Sequence, residues 1–170
     1  MIVFQRIALG LAIQVIISGD VYAGETPSSR KTLTITEVVR AMEDKQWILV
    51  DTRPSDAYNG WRLDGIARGG HLPGAVDFPA SWLDSDREDK ATVLAAALRT
   101  KGIEPQRHIV LYGNAETDRD RVARFLKDLG FQQLYDFDLN AWVKDESKPL
   151  ERYENFHLLV PAVIVKRLLD

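Results

Sequence analysis

The chain has 170 residues, 45% of them hydrophobic and 28% charged, with a formal net charge of -3, which suits one globular domain with a core of its own. Its basic residues are interleaved with acids rather than clustered, which argues against a nucleic-acid-binding surface. It contains no cysteine, which excludes disulfides, thiolate metal sites and thiol catalysis; His71, His108 and His157 lack the i, i+4 spacing of metal ligands, so neither a metal nor a cofactor is expected.

The first stretch is apolar, Ile7 to Ile17, preceded by Arg6 and followed by Val21-Tyr22-Ala23. A run this short does not span a bilayer, and the small residues before a cut after Ala23 mark residues 1–23 as a secretory signal peptide. The expected product is an exported protein, with the periplasm as its destination and no membrane attachment after cleavage. Residues 24–32 read as a polar linker, residues 33–148 as the folded domain and residues 149–170 as a separate tail.

Within the domain, Thr34 and Glu37 have capping-box spacing ahead of Ile35, Val38, Val39 and Met42, which share one helical face. Trp47 to Val50 reads as a strand ending at Asp51-Thr52-Arg53-Pro54. A helical turn over Ser55 to Tyr58 leads into a glycine-rich loop, Asn59 to Gly74. Ala75 to Phe78 reads as the next strand, stopped by Pro79. Ser85 and Glu88 repeat the capping spacing before a helix that carries Val93, Leu94, Ala97 and Leu98 and ends at Gly102.

The central stretch is IVLYGNAETDRDRVARFLKDLGF, Ile109 to Phe131. Ile109 to Tyr112 predict a strand covered on both faces. From Arg119 the period changes to that of an amphipathic helix, with Val122, Phe125, Leu126 and Leu129 on one side and Gly130 closing it. Thr117 and Asp120 have capping spacing at its start. Leu134 to Phe137 form one more short strand, and Ala141-Trp142 begin a connection. Strands alternating with helices predict an α/β fold, a central parallel sheet of about five strands with helices on both faces.

In such sheets ligands bind at the carboxyl ends of the strands, and a loop entering a helix N-terminus there presents backbone N–H groups to anions. The candidate loop is Gly113, Asn114, Ala115, Glu116, Thr117 and Asp118. It has the layout of a reactive site, yet its first position is a glycine and offers no nucleophile.

WILVDTRP (Trp47 to Pro54), GGHLPGAVDFP (Gly69 to Pro79) and the central stretch together resemble the rhodanese-like sulfurtransferase family over residues 33 to 145. The likeness is to the N-terminal, non-catalytic domain of exported thiosulfate sulfurtransferases with tandem rhodanese domains, in which a segment like Tyr58 to Trp61 precedes the GGH stretch. The resemblance implies a loop cysteine that passes a sulfane sulfur from a donor such as thiosulfate to an acceptor thiol. Gly113 stands at that cysteine's position. The family's loop glycine falls on Glu116 and its anion-binding arginine on Asp118, and Asp138 and Leu139 replace the double glycine after the last strand. Asp51, Arg53, His71 and Gly74 match, so the first three, with Arg119, are candidate pocket residues around a vestigial loop.

The departures share one physical direction. A persulfide site needs a low thiol pKa and electropositive surroundings. Two carboxylates instead flank the loop, each repelling an anion about 4 Å away by roughly 1 kcal/mol in water and about 4 kcal/mol near a protein surface, against about 0.3 to 2 kcal/mol of attraction from the helix terminus. The chain is therefore expected to lack sulfurtransferase activity by itself and to act as a structural or binding module. The competing expectation is the non-catalytic part of a sulfurtransferase whose cysteine lies in another domain or chain.

Arg119, six residues after Gly113, is either an anion clamp or, the preferred reading, a solvated arginine paired with a neighbouring acid. Glu116, Asp118 and Asp120 read as a solvated acidic face rather than a cation site. Asp51 and Arg53 are expected to fix the neighbouring loops as a charge-assisted pair, and Trp61 and Trp82 to pack under the long loop. The tail carries an incipient apolar helix opened by Pro161, too short to be stable unless packed. Residues 149–170 resemble the start of a following rhodanese domain, so the expected partners are a downstream or separate rhodanese domain, or a second copy of the chain.

Overall fold

The structure, a computed structural model, describes residues 30–62, 66–160, 165, 168 and 169. The proposed signal peptide and the start of the tail helix lie outside the described residues.

Five strands form one parallel sheet: β1 (Lys31–Thr32), β2 (Trp47–Asp51), β3 (Val76–Asp77), β4 (His108–Gly113) and β5 (Leu134–Asp138), in the order β1-β5-β4-β2-β3. The helices are α1 (Ile35–Glu43), α2 (Ser55–Asn59), α3 (Lys90–Thr100), α4 (Glu116–Asp128) and α5 (Leu139–Val143). The apolar runs of β2 and β4 are buried on both sides because the period of two sends alternate residues to opposite faces. Ile48, Val50, Ile109 and Leu111 join Leu94 and Leu98 of α3 and Val122 and Leu126 of α4 in one core. Leu49, Val110 and Tyr112 join Val38 of α1 and Trp142 of α5 in the other. The expected α/β architecture with two covered faces is therefore present.

Local chemistry explains where several elements begin. Thr34 accepts from the Glu37 N–H while the Glu37 carboxylate accepts from the Thr34 N–H at 2.8 Å, a complete capping box. Hydrogen bonds from Lys31, then from Thr34, pull the Glu37 carboxyl down to about 2.

The other two capping pairs do not form. α3 starts only at Lys90, with Asp89 rather than Ser85 at its N-cap; Ser85 Oγ instead accepts from the Arg87 N–H at 3.4 Å. α4 starts at Glu116, three residues before the predicted start, which places Thr117 and Asp120 inside the helix. Asp120 is drawn there to the Arg30 guanidinium at 2.6 Å.

Lys31 and Thr32, assigned by sequence to the linker, form edge strand β1 beside β5. The connection expected at Ala141-Trp142 is α5, whose N-cap is Asp138, accepting from the Asn140 N–H at 2.9 Å. Trp82 lies in a 3-10 turn, Ala80–Asp84, edge-on to Phe78, so it packs against the α3–α4 core and not under the long loop. Trp61 does pack there, edge-on to Phe156 with ring centroids 5.8 Å apart.

Candidate functional site

β4 is the central strand, and Gly113 is its last residue, paired in register with Asp138 of β5. Because α4 opens at Glu116, only Asn114 and Ala115 separate strand from helix. Glu116 and Thr117 are exposed and Asp118 is half-buried, all in the first turn of α4, where the acids favour the helix dipole. Asn114 donates from Nδ2 to the side-chain oxygen of Asn140 at 3.1 Å, which ties the short loop to α5.

The absence of a side chain at position 113 has a steric counterpart. Thr52, one residue past β2, donates from its hydroxyl to the Tyr112 carbonyl at 3.1 Å, and its N–H donates to the same oxygen at 3.0 Å. A Cβ on Gly113 would lie 2.8 Å from that hydroxyl and 3.3 Å from Arg53 Cγ. A side chain at position 113 would therefore require Thr52 to shift and Arg53 to give way.

Arg119 lies beside an acid, as expected, but it is not the solvated arginine of that expectation. It is buried, 8% exposed, and donates from one terminal nitrogen to the Gly113 carbonyl at 2.9 Å. Its Nε lies 3.6 Å from the Asp136 carboxylate. That carboxylate, 4% exposed in the middle of β5, also pairs with Arg30 at 2.9 Å, and Arg30 pairs in turn with Asp120. Two arginines and two aspartates thus join the start of β1, β5 and the first turns of α4 into one network beneath the loop. Arg119 holds the loop's own carbonyl instead of facing solvent or a ligand.

Asp51 and Arg53 form the expected pair. Asp51, fully buried, accepts from Arg53 Nε at 2.9 Å, from a terminal nitrogen at 2.6 Å and from the Arg53 backbone N–H at 3.0 Å. Arg53 donates onward to the Gly70 carbonyl at 2.7 Å, which anchors the long loop to the strand ends. Burial opposes the Arg53 charge, and the hydrogen bonds and attraction of Asp51 outweigh it, so the guanidinium sits above its ordinary value. Burial, then the Asp51 charge, push the Tyr112 hydroxyl well above the usual phenol range.

His71 stacks on Tyr58 with ring centroids 3.8 Å apart, and its Nδ1 lies 2.7 Å from the Tyr58 carbonyl. Its backbone exchanges two hydrogen bonds of 2.8 Å with Glu151, so it docks the tail segment onto the loop. Burial, with a smaller effect of Tyr153, raises the Tyr58 hydroxyl to about 12; it donates to the Ala75 carbonyl at 2.7 Å.

The structure thus gathers Gly113, Arg53 and Arg119 around one point and places His71 on the loop side of the Asp51–Arg53 pair. Sequence reasoning missed Thr52, Asp136 and Arg30. Asp136 had a signal, a charge in the centre of an apolar strand that requires a buried partner.

Comparison with known proteins agrees with this architecture. Residues 34–145 match the family described as Rhodanese-like domain. The chain is 30% identical over 111 residues to a thiosulfate sulfurtransferase, YnjE, of Escherichia coli (strain K12), a match covering 65% of this chain and 24% of that protein. Among solved structures it superposes on wild-type EanB with a TM-score of 0.71 and 30% identity, over 85% of this chain and 33% of that one. It superposes on an anaerobic ergothioneine biosynthesis enzyme from Chlorobium limicola with a TM-score of 0.70 and 31% identity, over 82% and 32% of the two chains. The chain therefore spans between a quarter and a third of the length of these relatives. With the family matched over β2 to β5 and α1 to α5, the chain belongs to the rhodanese-like domain family.

Proposed function

We propose that this rhodanese-like domain is catalytically silent and serves, after export, as a structural or binding module. The observation that carries the reading is the filled position at Gly113: there is no nucleophile, Thr52 and Arg53 occupy the space for one, and the arginine below is committed to the loop's carbonyl. Glu116 and Asp118 add negative charge at the helix terminus that would otherwise favour an anion.

The mature protein, purified from the periplasm of a secreting host and starting at Gly24, should form no thiocyanate from thiosulfate and cyanide above buffer. Gly113→Cys alone should recover little, for two reasons. Over-packing against Thr52 should cost about 1–3 kcal/mol of stability, and the neighbouring carboxylates should raise the thiol pKa and repel the donor. Adding Thr52→Ala, Glu116→Gly and Asp118→Arg should do better. Substantial turnover from the single change would overturn the argument, and a soluble cytoplasmic product that keeps Met1 would overturn the signal-peptide reading.

A second reading is that the chain works as the non-catalytic part of a thiosulfate sulfurtransferase whose cysteine lies in another domain or chain. It is favoured by the share of the relatives' length that the chain spans and by the tail, where Leu158, Leu159, Val160, Leu168 and Leu169 expose apolar surface. On this reading residues 149–170 bind a rhodanese domain or a second copy. Light scattering should then find the full chain self-associated, or complexed with an added rhodanese domain, and a chain ending at Asp145 monomeric. Monomers in every case would exclude it.

A further inference from the structure

Arg62 and Arg68 lie on one loop and Arg152 is distant from both in sequence, so no basic stripe is visible along the chain. The fold brings them to one open cleft of about 410 Å³, whose wall also includes Gly60, Gly69 and Leu150 and, among the described residues, no acidic one. This volume falls within the ~300–1,000 Å³ usual for small-molecule sites.

Two of the three arginines are held in place by contacts that leave their charge unneutralised. Arg68 donates to four main-chain carbonyls: those of Lys148 at 2.8 Å, Asp145 at 2.9 Å, Val143 at 3.1 Å and Trp142 at 3.2 Å. Carbonyl dipoles satisfy its N–H groups without cancelling the positive charge. Arg152 lies over the Phe156 ring, 5.6 Å from its centroid, a cation–π contact that orients the guanidinium and keeps it charged. Phe156 is itself fixed, since it packs on Trp61 and so closely on Gly60 that a Cβ there would fall 2.7 Å from the ring. Gly69 meets the Gly60 carbonyl even more tightly, so the wall between them is built on backbone contact.

Two acids next to these arginines, Glu151 and Asp145, are engaged elsewhere. Glu151 turns its carboxylate to the Gly74 N–H at 3.0 Å and towards His71 at 3.7 Å. Asp145 accepts from the Ser147 hydroxyl at 2.6 Å and N–H at 3.0 Å, and these bonds, ahead of any charge effect of Arg68, hold its pKa down. Among the described residues neither Arg62 nor Arg152 has an ion-pair partner.

A single exposed arginine attracts an anion weakly. Three that line one cleft focus a positive potential, and a guanidinium fork matches the oxygen spacing of phosphate and carboxylate groups. The chain as a whole carries a net charge of -3, so the surface beyond the cleft disfavours a long polyanion, and the charge match is to a compact one. We propose that this cleft binds a small polyanion carrying two or more phosphate or carboxylate groups, gripped by Arg62 and Arg152 with Arg68 supplying a fixed positive charge. The proposal requires no sulfur chemistry and does not depend on the state of the Gly113 loop.

The test is calorimetric titration of the purified chain with pyrophosphate and with citrate, at low salt and at ~0.15 M salt, where charges are screened beyond about 8 Å. The expected result is saturable one-to-one binding of at least one probe, weakened tenfold or more in the Arg62→Gln/Arg152→Gln double variant. Arg99→Gln, which removes an exposed arginine in the last turn of α3, should leave affinity unchanged. Arg68 is left intact because it ties the segment after α5, and an unchanged melting curve will show that the double variant is folded. Absence of saturable binding by both probes would overturn the proposal, as would equal weakening by Arg99→Gln, which would mark the attraction as a diffuse charge effect.

Discussion

Asp51→Ala is expected to destabilise the domain by about 3–5 kcal/mol, because it removes one partner of a buried ion pair and leaves the other charged in the interior. Arg53 is 3% exposed and keeps the Gly70 carbonyl as an acceptor, while its own backbone N–H also loses the Asp51 oxygen. Against a typical domain stability of about 5–15 kcal/mol, this is a large share. The fall should appear as a lower urea midpoint with an unchanged slope. Removing both charges together, as Asp51→Leu/Arg53→Met, should recover much of the loss, since a buried pair replaced by apolar groups is often close to neutral. A single-variant loss below ~1 kcal/mol would mean that water reaches Arg53, contrary to its burial.

Asp136→Ala should cost a similar amount, about 3–5 kcal/mol, with a different spatial signature. Arg119 loses the carboxylate beside its Nε and retains the Gly113 carbonyl; Arg30 retains Asp120, which is 27% exposed at its side chain. Amide exchange should therefore quicken at Thr32 and Gly113, on either side of the missing charge, before it does at Val50 or Val110 in the sheet centre. Asp120→Ala, at the exposed end of the same network, should cost about 1 kcal/mol or less. Equal losses from the two aspartates would show that burial does not rank these contacts.

The parts of this fold legible in sequence are those decided by neighbours in the chain. β2 and β4 carry contiguous apolar runs, β5 is a short run interrupted by Asp136, and the start of α1 is fixed by a capping box that closes within four residues. What escaped was decided by distant partners. β1 is two exposed residues with no apolar pattern, a strand only because β5 lies beside it. Thr117 and Asp120 had the spacing of a cap, yet both lie inside α4, and Asp120 is taken by Arg30, 90 residues away. At the candidate site the missing nucleophile was plain from composition, and the Asp51–Arg53 pair from its spacing of two. That Thr52 closes the space at Gly113 depends on the register of β2 beside β4, and that Arg119 is buried depends on Asp136. Neither relation can be read along the chain.

The pairing of β1 with β5 also bears on how the domain folds. Arg30 meets Asp136 across 106 residues of chain, and closing a loop of that length costs about 4 kcal/mol of chain entropy. A two-residue strand returns little backbone hydrogen bonding for it, so the docking of β1 relies on the buried charges and waits until β2, β4 and β5 have assembled a surface to receive it. Residues 30–32 are therefore expected to be among the last to fold. Until then residues 30–32 remain open to proteases and chaperones, and a cleavage next to them acts on an unfolded segment rather than on a finished structure.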